Sequence, residues 1–150
     1  MRLRGALDLL EAETLAVQQT ALLQDRGELY AELGEILDFL RRLLAAEVVG
    51  RACPELHLGG FSGDELRTIS HNTARHLGVG FVLPAANHGV LVVQLNLLRA
   101  KSRELELTAA DALSRADHVN GEFRSRAGQQ LNRLSSALHV LGCREMARVG

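Results

Sequence analysis

Leucine and alanine recur at helical spacing along almost the whole chain, and this pattern limits the folds that the chain can adopt. In the first segment, which we predict to be a helix over residues 3–24, the repeat consists of Leu3, Leu7, Leu10, Leu15, Val17 and Leu22. After a break at Gly27, a second apolar stripe predicts a helix that ends near Val49-Gly50. Its residues are Leu29, Leu33, Ile36, Leu37, Leu40, Leu43 and Leu44.

The second half of the chain has two predicted loops and three further helices. Residues 51–63 contain Pro54 and several glycines and are predicted to form a loop, after which Ser62 or Asp64 caps a short helix through about residue 77. Gly78-Val79-Gly80 and Pro84 open a second loop. Long helices are predicted from His88 to Leu113 and from Glu122 to Ala147, separated at Asn120-Gly121.

These segments predict an all-α fold. No strand alternation and no internal repeat is evident, and the chain has only two prolines. We therefore expect an up-and-down helical bundle of four long helices and one short helix, forming a single domain over residues 1–150.

Composition excludes several classes of function. Lys and Arg number 17 and Asp and Glu 18, so no basic excess suggests nucleic-acid binding. Acidic residues soon after the N-terminus interrupt any secretory signal, and polar residues interrupt the longest uncharged stretch, 76–98. We expect a soluble cytoplasmic protein whose two cysteines, Cys53 and Cys143, are ordinary reduced thiols.

The helix predicted from His88 carries polar residues at a spacing usually occupied by apolar ones. Asn96, Arg99, Arg103 and Glu106 are three, four and three residues apart, so they share one helix face. Two arginines beside a carboxylate suit a phosphate chain. The alternative is a solvated face with ordinary ion pairs.

The last helix has a similar polar face. Asn132, Ser135, Ser136 and His139 interrupt an apolar series of leucines. Polar groups turned toward a bundle interior need partners, so these residues suggest a site between helices. The alternative is close packing of small residues whose hydroxyls are satisfied within the protein.

No motif predicts a protein-bound metal. His71 and His76 lie five residues apart, which is not the i,i+4 spacing that chelates from successive helix turns. His57 and His88 fall in predicted loops without a recognised ligand spacing. We expect no metal site, and Gly78-Val79-Gly80 is a poor nucleotide-loop signal because no strand precedes it.

Several of these pieces together resemble a known family. Phe81-Val82-Leu83-Pro84, the Arg99-x-x-x-Arg103-x-x-Glu106 helix and Asn132-Arg133-Leu134-Ser135 follow the order seen in cobalamin adenosyltransferases. Ser70-His71, Pro84, His88-Gly89 and Leu95-Asn96-Leu97-Leu98-Arg99 are most similar to the ethanolamine-utilisation type. The resemblance extends from Arg4-Gly5-Ala6-Leu7-Asp8 to the last helix.

The resemblance implies roles for single residues. Asp8 matches an aspartate that pairs with the first of the two arginines on that helix, here Arg99. Arg103 and Glu106 match residues that arrange ATP, and Asn132 matches an asparagine facing the nucleotide. Asn96 and His88 are also expected among the binding residues. Phe81 resembles an aromatic that, in the propanediol-utilisation type, lies against the lower face of the corrin and keeps its base off cobalt.

The resemblance also implies the reaction. Co(I) of cobalamin attacks the 5′ carbon of ATP and displaces triphosphate, with Mg²⁺ assisting, and residues 51–89 form part of the corrinoid pocket. A dimer or trimer is expected, with subunits meeting around the sites. The alternatives are a non-catalytic corrinoid- or nucleotide-binding module, partner to a cobalamin-dependent enzyme, and a structural bundle without a ligand.

Two features depart from the family pattern. Ser136 stands where the propanediol-utilisation type has aspartate. The sequence also shows neither that type's N-terminal Gly/Thr-rich phosphate loop nor the N-terminal metal-binding extension of the ethanolamine-utilisation type. We therefore expect different phosphate contacts, a contribution from another polypeptide, or a loss of catalysis.

Overall fold

A computed structural model describes residues 2–78, 83–113 and 118–149. Its long helices are α1 (Arg2–Leu23), α2 (Gly27–Val49), α5 (Val90–Leu113) and α6 (His118–Val149). Between α2 and α5 lie a small hairpin of β1 (His57–Leu58) and β2 (Phe61–Ser62), the short helices α3 (Gly63–His71) and α4 (Thr73–Leu77), and a 3₁₀ turn (Ala86–His88). The predicted all-α bundle is confirmed.

The long helices form the bundle, and α3 closes one side of it. α1 packs on α2 and α5, α5 packs most extensively on α6, and α3 lies against α6. The predicted apolar stripes meet in one core, in which Phe39 and the central leucines are fully buried, but Leu15 and Leu22 of the first predicted stripe are exposed on α1. Leu7, Leu33, Leu95 and Leu131 each contribute from a different long helix.

The ends of α2 have clear local causes. The chain reverses before Gly27, at Asp25, which adopts a left-handed φ of 56° while the Arg26 N–H donates to the Ala21 carbonyl. Gly27 is therefore the first residue of α2 and not the break that we predicted. Gly50 ends α2 as predicted, with φ 75° and its N–H bonded to Ala46.

The central connection contains more structure than the sequence predicted. The backbone of His57 pairs with that of Ser62 in a two-residue hairpin, although no strand was expected. The predicted single short helix is divided at Asn72, whose Oδ1 accepts a hydrogen bond from the Arg75 N–H and so starts α4.

α3 begins with the predicted serine cap. Ser62 Oγ accepts from the Glu65 N–H at 3.2 Å, and the Glu65 carboxylate accepts from the Ser62 N–H at 3.0 Å. These bonds favour the ionised carboxylate and lower the pKa of Glu65. Gly63 then lets α3 approach α6 closely, because a Cβ there would lie 2.9 Å from Cγ of Arg133.

The last helix corrects another prediction. α6 starts at His118, so Asn120-Gly121 lies within the helix and does not precede it. A single glycine costs a helix only about 1 kcal/mol, which the packing of this long helix can offset.

Ion pairs at the border of the core fasten α2 to α6. Arg144 donates to both carboxylate oxygens of Glu32, one of them at 2.9 Å, and Arg26 pairs with Glu145. Glu32 and Glu145 are buried, so each guanidinium compensates a carboxylate that would otherwise be costly to desolvate.

Candidate functional site

A cavity of about 640 Å³ lies between α3, α5 and α6 and is bordered by Leu83 and Pro84. This volume is within the range of roughly 300–1,000 Å³ found for small-molecule sites. The polar faces predicted on α5 and α6 meet here. Their lining residues are Asn96, Arg99, Arg103, Asn132, Ser135, Ser136 and His139.

The cavity is positively charged. Arg99 and Arg103 enter from α5 and Arg67 from α3, while no carboxylate is among the described residues that line it. Neither Arg67 nor Arg103 has an ion-pair partner within the described part of the chain. Guanidinium groups without local carboxylates are suited to an anionic ligand, and phosphate oxygens can accept two parallel N–H bonds from each.

Arg99 is oriented by the residue one helical turn before it. Its Nε and Nη2 donate to Oδ1 of Asn96 at 3.2 and 3.0 Å. This neutral partner fixes part of the guanidinium without neutralising its charge. Of the four residues predicted to share this face of α5, Asn96 and Arg99 are thus joined directly.

A chain of hydrogen bonds fixes Asn132 at the cavity wall. Its Nδ2 donates to Oε1 of Glu106 at 3.2 Å, and its Oδ1 accepts from Nη1 of Arg133 at 3.0 Å. Arg133 also donates through Nε to Asp64 at 2.8 Å. Since both ends of the amide are engaged, the orientation of Asn132 depends on α5 and α3 as well as on its own helix.

Behind the cavity, two serines link α5 to α6. The hydroxyls of Ser102 and Ser135 lie 2.8 Å apart, and both side chains are buried. Each hydroxyl also lies within hydrogen-bond distance of a carbonyl of its own helix, that of Arg99 for Ser102 and that of Leu131 for Ser135, so one serine donates to its carbonyl while the other can donate to that serine. Ser135 therefore has satisfied hydrogen bonds, as the packing interpretation required, while it also lines the cavity.

His139 lies in the same wall with a depressed pKa. Burial is the larger cause, and the positive charge of Arg99 adds to it. Its Nε2 is 3.6 Å from Sγ of Cys143, whose own pKa is raised by burial. The neutral imidazole is therefore favoured in the folded protein.

Several predicted site residues lie elsewhere. Asp8 is exposed on α1 and makes no ion pair with Arg99 among the described residues of this chain. Glu106 does not line the cavity but holds Asn132. His88 lies outside the cavity lining, and its Nδ1 accepts the Ala85 N–H in the 3₁₀ turn. Phe81 lies outside the described residues.

The sequence argument missed several lining residues, among them Arg67, Cys143 and Met146. Arg67 precedes Ser70-His71 by one turn on α3, and that helical spacing was a usable signal. Cys143 and Met146 follow His139 by one and two turns on α6. They resembled ordinary core residues, and no pattern separated them from the core.

The described ranges lack two further kinds of feature. No group of three or more His, Cys, Asp or Glu side chains in them is arranged to hold a metal ion. None of the helices in these ranges is long and apolar enough to cross a membrane.

The known proteins found to be similar to this chain carry the same name. The corrinoid adenosyltransferases EutT of Escherichia coli strain K12 and of Salmonella typhimurium strain LT2 are each 34% identical to this chain over 110 residues. Over those residues the chain is similar to these corrinoid adenosyltransferases. The matched region is 73% of this chain and 40% of each relative, so the chain spans about 40% of their length.

This relationship confirms the resemblance inferred from the motifs, including its ethanolamine-utilisation type. No family model matches the chain. No solved structure matches it either. The geometry of the cavity is therefore the basis for proposing what each of its residues does.

Proposed function

We propose that this chain is an ATP:corrinoid adenosyltransferase, and that the cavity between α3, α5 and α6 binds the triphosphate of ATP. One observation carries the proposal: Arg67, Arg99 and Arg103 converge on a cavity whose described lining has no carboxylate. A structural bundle gains nothing from three such charges at one cavity. The names of the EutT relatives supply the reaction.

The reaction requires alignment and charge compensation. The Co(I) electron pair forms the bond to C5′, and the C5′–O5′ bond breaks with its electrons leaving on triphosphate. Arg99 and Arg103 stabilise that leaving group, while Arg67 binds it from the opposite helix. Asn132 binds the nucleotide with an amide already oriented by Glu106 and Arg133.

The corrinoid would lie near the Leu83–Pro84 border of the cavity. Within the predicted pocket segment 51–89, the residues that line the cavity are Arg67, Ser70, His71, Leu83 and Pro84. Leu83 is 72% exposed, so an apolar surface is available for a large ring. From the family resemblance, we also propose that Phe81 contacts the lower face of the corrin.

The cavity does not fit a protein-held Mg²⁺. This ion is usually bound through one or two carboxylates together with substrate phosphates, and the described lining supplies no carboxylate. Mg²⁺ belongs to this proposal only as a companion of the ATP phosphates, and we assign none of its chemistry to the protein.

We propose further that copies of the chain associate through α1. Its outer surface exposes Leu9, Leu15, Leu22 and Leu23, with Asp8 beside them. A second copy is the proposed occupant, because it would cover this apolar surface and bring Asp8 toward the arginines of a neighbouring cavity. The predicted Asp8–Arg99 pair would then form between copies, consistent with its absence among the described residues of one chain.

The direct test is anaerobic mixing of the protein with reduced cobalamin and ATP, following the corrin absorption spectrum. Product spectra and release of triphosphate are expected, with and without added Mg²⁺. Separate titrations of ATP and cobalamin identify the alternative, a binding module that takes up a ligand without turnover. Absence of binding by either ligand would refute the proposal.

A further inference from the structure

Arg133 on α6 joins two parts of the cavity surroundings through one guanidinium group. Its Nε donates to Oδ1 of Asp64 on α3 at 2.8 Å, and its Nη1 donates to Oδ1 of Asn132 at 3.0 Å. Arg133 does not line the cavity, and its side chain is only 11% exposed. Since both bonds leave from one planar group, the position of α3 and the orientation of Asn132 are tied together.

The stem of Arg133 also fixes how closely α3 approaches α6. A Cβ added to Gly63 would lie 2.9 Å from Cγ of Arg133 and 3.0 Å from its Cβ, which leaves room for glycine alone. These two atoms are at the base of the side chain and cannot turn aside as its far end does. Leu66 is buried on the same helix. Packing and the ion pair thus hold the start of α3 together.

The contact at the start of α3 bears on the cavity through Arg67. Gly63 and Asp64 precede Arg67 by four and three residues, so the three lie on one side of the helix. Arg67 lines the cavity, whereas Asp64 lies outside the lining with its side chain 83% exposed. Because a helix of nine residues moves as one element, a shift of its start also shifts Arg67 relative to Arg99.

We propose that Arg133 is a positioning residue for Arg67: by holding Asp64 and packing on Gly63, it sets α3 where Arg67 binds the triphosphate. This inference rests on the proposed function, since it specifies how that site is assembled. It implies that Asp64, although acidic, strengthens the binding of an anion.

Two simpler roles for Asp64 predict different results. Charge alone predicts that its removal tightens anion binding, because a carboxylate near a cationic site repels phosphate. An exposed ion pair without a positioning role predicts no effect on binding, since such pairs contribute little. Only the positioning role predicts weaker binding after Asp64 is removed.

The test measures the binding of inorganic tripolyphosphate by calorimetric titration, because this anion occupies the phosphate site without the nucleoside or the corrinoid. Asp64→Ala is expected to weaken binding about tenfold, the effect of misplacing one hydrogen bond to a charged group. Gly63→Ala should cause a similar loss. Asp38→Ala is the matched control, since Asp38 forms an exposed ion pair with Arg42 on α2, and it should leave the affinity unchanged.

A double substitution shows whether the effect passes through Arg67. Arg67→Ala should itself weaken tripolyphosphate binding by about tenfold or more. Asp64→Ala should then cause no further loss in the Arg67→Ala protein, because the side chain that it positions is missing. Two losses that multiply would overturn the proposal, as would unchanged or tighter binding by the Asp64→Ala protein.

Hydrogen exchange of the α3 amides tests the docking of this helix without any ligand. Asp64→Ala and Gly63→Ala should speed exchange in α3, whereas Asp38→Ala should not. Circular dichroism checks that each variant keeps its helices, and since two variants perturb the same contact, the result does not depend on the folding of one. Unchanged exchange in both variants would contradict the proposal.

The wild-type protein separates this inference from the proposed function. If it binds neither ATP nor tripolyphosphate, the proposed function fails, and the inference fails with it. If it binds both and the Asp64→Ala and Gly63→Ala proteins bind equally well, only the positioning role of Arg133 is wrong.

Discussion

Glu106 on α5 accepts a hydrogen bond from the side-chain amide of Asn132 on α6 at 3.2 Å. Through this contact, Glu106 supports a residue of the cavity wall. The residue was expected to arrange ATP directly, but it does not line the cavity. It is placed to act on a ligand through the orientation of Asn132.

Glu106→Ala should therefore weaken ATP binding while the bundle stays folded. A lost hydrogen bond to a charged group is worth about 1.5–3 kcal/mol at most, and an indirect effect near the low end corresponds to roughly tenfold in affinity. Calorimetric titration of ATP measures the change. Glu104→Ala removes an exposed carboxylate from the same helix and should not weaken binding.

Arg99→Ala should abolish or severely reduce adenosyl transfer, because it removes a positive charge from the leaving-group site. Its bonds to Asn96 are local to α5, so the fold should persist, which circular dichroism can check. Arg42→Ala is the control, since Arg42 forms an exposed i,i+4 pair with Asp38 on α2. A folded Arg99→Ala variant with wild-type turnover would remove Arg99 from the mechanism.

Arg103→Lys should raise the KM for ATP and lower kcat. Lysine keeps the charge but cannot reproduce the planar, two-bond grip of a guanidinium on phosphate. Arg103 is exposed and makes no ion pair among the described residues, so the substitution should leave thermal stability almost unchanged. Steady-state kinetics measure both KM and kcat. Unchanged values would favour the alternative, in which Arg103 belongs to an ordinary solvated helix face.

Glu32→Gln should destabilise the fold, since it weakens the attachment of α2 to α6 through Arg144. A hydrogen bond between charged groups at a buried site predicts a loss of about 2–3 kcal/mol in the free energy of unfolding. Asp38→Asn breaks an exposed pair, with side chains 66% and 58% accessible, and should cost at most about 1 kcal/mol. Urea denaturation measures the free energy of unfolding of both variants. Equal losses would contradict a stabilising role for the buried Glu32–Arg144 pair.

Stability should decrease as the pH falls below about 6.5, in part because of His139. Burial and Arg99 depress its folded-state pKa below the ordinary 6.5, so the unfolded chain binds the proton more readily. The contribution of His139 to the free energy of unfolding is therefore complete above pH 6.5 and is lost progressively as the pH falls to the folded-state pKa. His139→Gln should flatten that part of the pH profile measured by denaturation, whereas His76→Gln, at an exposed position, should preserve it.

The helical periodicity of the sequence determined much of the fold of this protein. The repeat of leucines located four long helices and most of their buried side chains, although Leu15 and Leu22 proved exposed, and the same period placed Asn96, Arg99 and Arg103 on one face of α5. Ser62 and Gly50 were recognisable as helix ends because capping depends on a few neighbouring residues. These features are local, so a linear sequence contains them.

Only the tertiary structure decided which helices share the cavity. Arg67 joins Arg99 because α3 folds back onto α6 through the close approach at Gly63, a contact between residues distant in sequence. Asp8 was assigned to Arg99 but lies on the outside of α1, and His88 is used by its own turn. Local spacing fixes which side chains share a face, whereas packing and chain reversal fix what that face meets.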